Sequence, residues 1–277
     1  MNAGTGVDDG PLVTVVLPTR NGAGTLGEAL SSVLDQTYTR LECLVIDDGS
    51  IDSTPEQLAG IAAADGRVRV IRHPRPLGLQ RALNRGLSEA TGALIARIDD
   101  DDVWIRREKV ADQVRAFVQE PALQVMGTGA WMIDPGRPGG YARRLLCADE
   151  AIREVMLAWN PFVHSSVMFR REAALATGGY DEQLHHSEDH DLWLKLGRTG
   201  KLANLAEVSV RYRLSTSVSA PARRWRASRE ALLLVRRHGQ FYPGRARALL
   251  TAVGRFALHA LPVSHSQRSA WRRDRGR

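Results

Sequence analysis

The segment Leu94-Ile95-Ala96-Arg97-Ile98-Asp99-Asp100-Asp101-Asp102 constrains this chain more than any other. Its first five residues read as a buried strand, and four consecutive carboxylates follow at the strand's end. Side chains alternate faces along an extended chain, so Asp99 and Asp101 point the same way. An acidic run standing alone is usually a solvated loop. Position favours another reading here, because open α/β sheets bind ligands at the carboxyl ends of their strands. Mg²⁺ or Mn²⁺ takes oxygen ligands from one or two carboxylates plus substrate phosphates, and either cation would offset the repulsion within the run.

A second acidic pair occupies the same kind of place. Leu41-Glu42-Cys43-Leu44-Val45-Ile46 reads as another buried strand and ends in Asp47-Asp48-Gly49-Ser50. Alone, that ending is an ordinary turn and helix cap. Two carboxylate clusters at two strand ends in one stretch of the chain fit a nucleotide site.

The pattern around these segments predicts an α/β fold. Strands are expected at 12–17, where Pro18 stops the run, and at 41–46, 68–71 and 94–98. Helices are expected at 25–36, 53–64 and 79–90 between them, the arrangement that gives a parallel sheet with right-handed crossovers. Beyond the acidic run the spacing predicts a helix at 105–119, a strand at 123–133, a flexible turn at 135–140 and a helix at 149–158. A strand ending near Arg170, a helix at 188–196 and a short strand pair, 202–205 and 208–212, complete the domain. The expected boundaries are a disordered N-terminus at 1–11, one domain at 12–214, a polar linker at 215–221 and a basic helical region at 222–277.

Composition narrows the class. With 277 residues, 43% hydrophobic and 25% charged, the chain has enough apolar material for a sizeable core. Cys43 and Cys147 are its only cysteines and lack metal-ligand spacing, so a reduced thiol and a cytoplasmic setting are expected. Met1 to Gly10 lacks the basic and apolar regions of a signal peptide, and no run approaches the ~18 apolar residues of a membrane span. From Ala222 onward there are fourteen arginines against Glu230 and Asp274, a local charge of +12 within a whole-chain charge of +7, which leaves −5 on the first 221 residues. The apolar positions Trp225, Leu232, Leu233 and Val235, then Leu249, Val253, Phe256 and Ala260, mark two helices in that basic region. Such helices either lie on an anionic membrane face or pack on the domain. No nucleic-acid recognition motif accompanies the charge, so no nucleic-acid partner is expected.

Together these residues resemble the family 2 glycosyltransferases over about residues 12–213. The matching motifs, in order, are Val-Val-Leu-Pro-Thr-Arg-Asn at 15–21, Asp47-Asp48-Gly49-Ser50, Asp99-Asp100-Asp101-Asp102 and Glu188-Asp189-His190-Asp191-Leu192-Trp193. Leu77-Gly78-Leu79 with Asn84-Arg85-Gly86, and His164 through Arg171, give further support. The resemblance implies a GT-A type, open, mostly parallel Rossmann-like sheet flanked by helices, with a small antiparallel extension and a C-terminal helical appendage. It implies an inverting transfer of sugar from a nucleotide-diphosphate donor to a glycan or lipid-linked acceptor, in surface polysaccharide synthesis. Carried over position by position, Pro18, Thr19, Asn21, Asp48, Asp99 and Asp100 meet the nucleotide sugar. Asp101 and Asp99 match the pair that binds Mn²⁺ or Mg²⁺, and Asp189 matches the base that deprotonates the acceptor hydroxyl. Arg20 departs from the aromatic or polar residue common in relatives.

Alternatives remain for several residues. Glu188 and Asp189 also suit the first turn of a helix, where the dipole favours acids. His164 reads either as a hydrogen-bonded structural histidine or as a further metal ligand. Trp104 and Trp193 suit the core or an acceptor wall. Arg170 and Arg171 suit a partner of the acidic run or a solvated strand end. Two other functions compete. One is a sugar-phosphate nucleotidyltransferase, although residues 18–24 lack its Arg/Lys-bearing glycine loop. The other is an inactive relative that binds nucleotide sugar or docks at a membrane.

Overall fold

The computed structural model describes residues 10–134, 137–214 and 221–260 of the chain. Strands and helices alternate at first: β1 (Val13–Thr19), α1 (Leu26–Leu34), β2 (Leu41–Asp47), α2 (Thr54–Ala64), β3 (Val68–Arg72), α3 (Leu79–Glu89) and β4 (Leu94–Arg97). These four strands pair in parallel in the order β3-β2-β1-β4. Being covered on both faces, β1 and β2 read as near-continuous apolar runs rather than alternating ones. Val13, Val15 and Leu17 pack with Leu26, Leu30 and Val33 of α1 on one face, while Val16 meets Leu83 and Leu87 of α3 on the other. This sandwich holds the carboxyl ends of β1, β2 and β4 side by side, and the acid-bearing loops leave from there.

The rest of the domain extends the same sheet with mixed direction. In chain order follow β5 (Val103–Trp104), α4 (Lys109–Gln119), β6 (Leu123–Asp134), β7 (Arg137–Arg143), α5 (Asp149–Val155), β8 (Met168–Arg170), α6 (Arg171–Ala176), α7 (Glu188–Leu196) and β9 (Lys201–Arg213). Among the described residues the sheet runs β3-β2-β1-β4-β8-β6-β9-β5, with β7 also paired to β6. Two helices, α8 (Pro221–His238) and α9 (Arg245–Ala260), complete the described chain. Leu234 and Val235 of α8, Ala248 and Ala252 of α9, and Tyr242 from the connection between them join the buried cluster around Trp193.

Four local expectations need correction. Pro18 does not stop β1, which continues to Thr19 with Pro18 opposite Ile46. Residues 137–140, read as a turn, belong to β7, whose described partner is β6; proline and glycine are tolerated where a strand is not flanked on both sides. The expected strand pair at 202–212 is one strand, β9. Thr128 pairs Leu205 while Gly129 pairs Val208, so a bulge at Ala206 and Glu207 absorbs the interruption. The helix expected from residue 105 starts at Lys109, because Val103 and Trp104 first pair with Arg211 and Val210 of β9. The expected linker at 215–221 falls almost wholly outside the described residues, as do residues 1–9 of the expected disordered N-terminus and residues 261–277 of the expected basic region.

Candidate active site

The acidic run leaves β4 above a buried cation. Arg97 is fully buried and its guanidinium grips both oxygens of Asp99, a bidentate pair that burial makes geometrically strict. Beneath the run, Ser165 accepts from the Asp99 amide at 3.0 Å and from Arg97 Nη1 at 3.1 Å, and its hydroxyl donates to Asp102. Asp102 also accepts the Arg213 amide at 2.8 Å, which ties the loop to the end of β9. Asp100 turns the other way and accepts from Thr19 Oγ1 at 2.5 Å. A Cβ at Gly22 would overlap both the Asp100 carboxylate and the Thr19 hydroxyl, so only glycine lets the first loop approach this closely.

Asp99, Asp101 and Asp102 each present an oxygen within 4.8 Å of the others. Burial, reinforced by the charge on Asp99, raises the pKa of Asp101 and of Asp102. Burial likewise pushes Asp100 up to about 6, against the Thr19 hydrogen bond. Arg97 is engaged by Asp99, so the trio carries negative charge beyond its built-in cation. That donor set, all carboxylate oxygen and short of positive charge, fits Mg²⁺ or Mn²⁺. His164 is not part of the trio. Its Nε2 lies 3.1 Å from Tyr180 Oη, its ring stands edge-on to Trp193, and burial drives its pKa well down.

The second acidic pair organises loops. Asp48 is buried, with Oδ1 2.8 Å from His73 Nδ1 and 2.8 Å from the Leu77 amide, while Oδ2 accepts the Gly78 amide at 2.8 Å. Burial alone would raise its pKa, but the bonds from His73, Leu77 and Gly78 outweigh that and lower it. A carboxylate offers about four acceptor sites, so one stays open. Asn21 has φ of 55°, the one positive value outside glycine among the described residues. Its amide donates to Ser50 Oγ at 2.9 Å and its Oδ1 accepts the Ile51 amide at 2.9 Å, which locks the first loop to the second.

The third acidic group begins α7. Asp189 Oδ2 accepts from Asn160 Nδ2 at 2.7 Å, and Oδ1 accepts the His190 amide at 2.7 Å. Burial raises its pKa despite these bonds and the charge on Arg97. Glu188 beside it is raised by burial and then by Asp189. His190, pushed down to about 4 by burial, is neutral at pH 7 and hydrogen-bonds the Met156 carbonyl at 2.6 Å. Asp191 faces away, to Lys195 at 2.7 Å and His238 Nε2 at 2.9 Å, and these bonds overcome burial to hold it at about 2.

Pro18, Thr19, Asn21, Asp48, Asp99, Asp100 and Asp101 therefore gather at the strand ends. Sequence reasoning passed over Arg97, Asp102, Ser165, His73, Asn160 and Tyr212. Burial raises the Tyr212 pKa, and the charges of Asp99, Asp102 and Asp189 raise it further. The position of Arg97, a lone charge in an apolar strand two residues before Asp99, was the available signal for a buried ion pair. Arg170 and Arg171 instead bind backbone carbonyls, Leu123 and Leu87 among them, and Trp104 and Trp193 are core.

Comparison with known proteins shows the family and the fold. The sequence model of glycosyl transferase family 2 matches residues 14–177. An uncharacterized glycosyltransferase of Haemophilus influenzae is 32% identical over 220 residues, covering 74% of this chain and 66% of that protein, just under two thirds of its length. The amylovoran biosynthesis glycosyltransferase AmsE of Erwinia amylovora is 28% identical, over 76% of this chain and 79% of its own. The mannosyltransferase PcManGT of Pyrobaculum calidifontis, solved with GDP-Man and Mn²⁺, superposes with a TM-score of 0.67 at 21% identity, over 97% of this chain and 80% of that one.

Proposed function

Since the chain belongs to glycosyl transferase family 2, we propose that it moves a sugar from a nucleotide-diphosphate donor to a hydroxyl of a glycan or lipid-linked acceptor, with inversion. The observation that carries this reading is the Asp99–Asp101–Asp102 trio at the strand ends, whose oxygens lie within 4.8 Å of one another, with Asp189 held by Asn160 and the His190 amide at the start of α7. One suits a diphosphate with its cation, and the other suits a nucleophile's proton.

In this reading the nucleoside lies over the ends of β1 and β2, against Pro18, Thr19 and Asn21, with the open acceptor site of Asp48 facing a base N–H or ribose hydroxyl. Asp99 and Asp100 lie nearer the ribose and diphosphate. Asp101, Asp99 and Asp102 would hold Mn²⁺ or Mg²⁺, which would supply positive charge to the departing diphosphate oxygens. That PcManGT was solved with GDP-Man and Mn²⁺ supports a divalent cation in this reading. Asp189 takes the proton of the acceptor hydroxyl as it attacks the anomeric carbon, and its raised pKa makes it a stronger base than an exposed aspartate. One displacement with one base and no covalent intermediate inverts that carbon.

AmsE's named place in amylovoran biosynthesis supports a surface-polysaccharide product. The work is assigned to the cytoplasmic side of a membrane. This placement rests on the two free cysteines, Cys43 and Cys147, a usage common in reducing compartments. The test is turnover of UDP-, GDP- and dTDP-sugars with and without Mn²⁺. Release of nucleoside diphosphate that requires the cation supports the reading. If none of these donors binds and Mn²⁺ changes nothing, the reading fails.

A further inference from the structure

Helix α9 has two apolar faces where a surface helix normally has one. Its inner face is the buried pair Ala248 and Ala252. Nearly opposite, Ala246, Leu250, Val253 and Ala257 follow one another at helical spacing, and all four are exposed. Leu250 is 74% exposed, Val253 49% and the neighbouring Leu249 46%. The patch continues onto α8 through Trp225, 42% exposed, whose ring lies 5.6 Å from Phe256. Leaving these side chains in water forfeits the burial that apolar groups of this size normally obtain.

Charge says what would cover the face. Helix α9 contains no aspartate or glutamate, and its Arg245, Arg247 and Arg255 are all exposed. On the helical wheel Arg245 and Arg247 lie on opposite flanks of the apolar stripe, the layout of a helix lying in a lipid headgroup plane, while Arg255 sits on the inward side and bonds the Ala158 carbonyl at 3.2 Å. We infer that the outer face of α9, with Trp225 of α8, docks the protein onto an anionic phospholipid surface, with Leu249, Leu250 and Val253 in the acyl boundary and Arg245 and Arg247 among the headgroup phosphates. The inner face of the same hairpin packs around Trp193, beside α7 and Asp189. Docking would therefore hold the base near a lipid-borne acceptor. The docking itself stands independently of the transfer chemistry.

The test is co-sedimentation of the full chain with vesicles of pure phosphatidylcholine and of equal parts phosphatidylcholine and phosphatidylglycerol. The wild type should pellet with the second and not the first, and added salt should release it. At ~1 kcal/mol per basic residue, Arg245→Glu with Arg247→Glu should weaken the partition ~25-fold or more. Leu250→Asp with Val253→Asp should weaken it at least ~10-fold, because aspartate is excluded from the acyl boundary. Nucleotide-sugar hydrolysis in solution should stay unchanged in both, which verifies folding. Equal pelleting with both vesicles, no pelleting, or wild-type pelleting of the Leu250→Asp/Val253→Asp variant overturns the inference. So does a doubling of mass by light scattering that this variant abolishes, which would assign the face to a second copy of the chain.

Discussion

Asn160 Nδ2 donates to Asp189 Oδ2 at 2.7 Å, and the Asn160 side-chain oxygen accepts the Phe162 amide at 3.1 Å, so the amide that holds the acid is itself held. One edge of the Asp189 carboxylate is thus fixed from the loop before β8, while the His190 amide fixes the other oxygen. Each oxygen keeps a lone pair for an incoming hydroxyl.

This bond stabilises the charged form of Asp189, so removing it should raise the acid's pKa further. The base works only when deprotonated, and burial already sets its pKa above the ordinary aspartate value, so activity should fall as the pH drops through a limb above that value. In Asn160→Ala the acid limb of kcat/KM should move to higher pH, and kcat near neutrality should drop about tenfold. A pH-rate profile distinguishes this from general damage, which would lower the whole curve without moving the limb.

Asp189→Asn keeps the shape and loses the base. Transfer should fall by about 10²–10⁴-fold, while calorimetry should give a nucleoside diphosphate affinity within about twofold of wild type. Turnover at the wild-type rate would remove Asp189 from the role of base.

Arg97→Leu should destabilise the fold. It strips the partner from Asp99 and leaves a carboxylate above a dry strand end, a loss of about 3 kcal/mol when one member of a buried pair is removed. Urea unfolding should show a lower midpoint at unchanged slope. A midpoint equal to wild type would mean the pair contributes nothing to stability.

How much was legible in the sequence differed by element. The parallel half was readable because β1, β2 and β4 are predominantly apolar and α1 and α3 carry a clean stripe, so period and length agree. The mixed half was harder for reasons of pairing: β7 carries Pro138, Gly139 and Gly140, and β9 is continuous only because a bulge absorbs Ala206 and Glu207. In the site, the acids announced themselves by clustering at strand ends. Their supports did not, since Ser165, Asn160 and His73 reach Asp102, Asp189 and Asp48 across 63, 29 and 25 residues of chain. Asp102 looked like a fourth member of a run and became an anchor to β9 only through the Arg213 amide.

The central claim is that the run at 99–102 holds the cation that the diphosphate shares. Calorimetric titration of UDP and GDP into Asp101→Ala, once with Mn²⁺ and once with chelator, tests it most directly, with Asp48→Ala as the control. The wild type should bind one of the two nucleotides more tightly in Mn²⁺. Asp101→Ala should lose that gain, about tenfold or more in Kd, and match the wild type in chelator. Asp48→Ala should weaken binding equally in both. Undiminished Mn²⁺ dependence in Asp101→Ala would contradict the account.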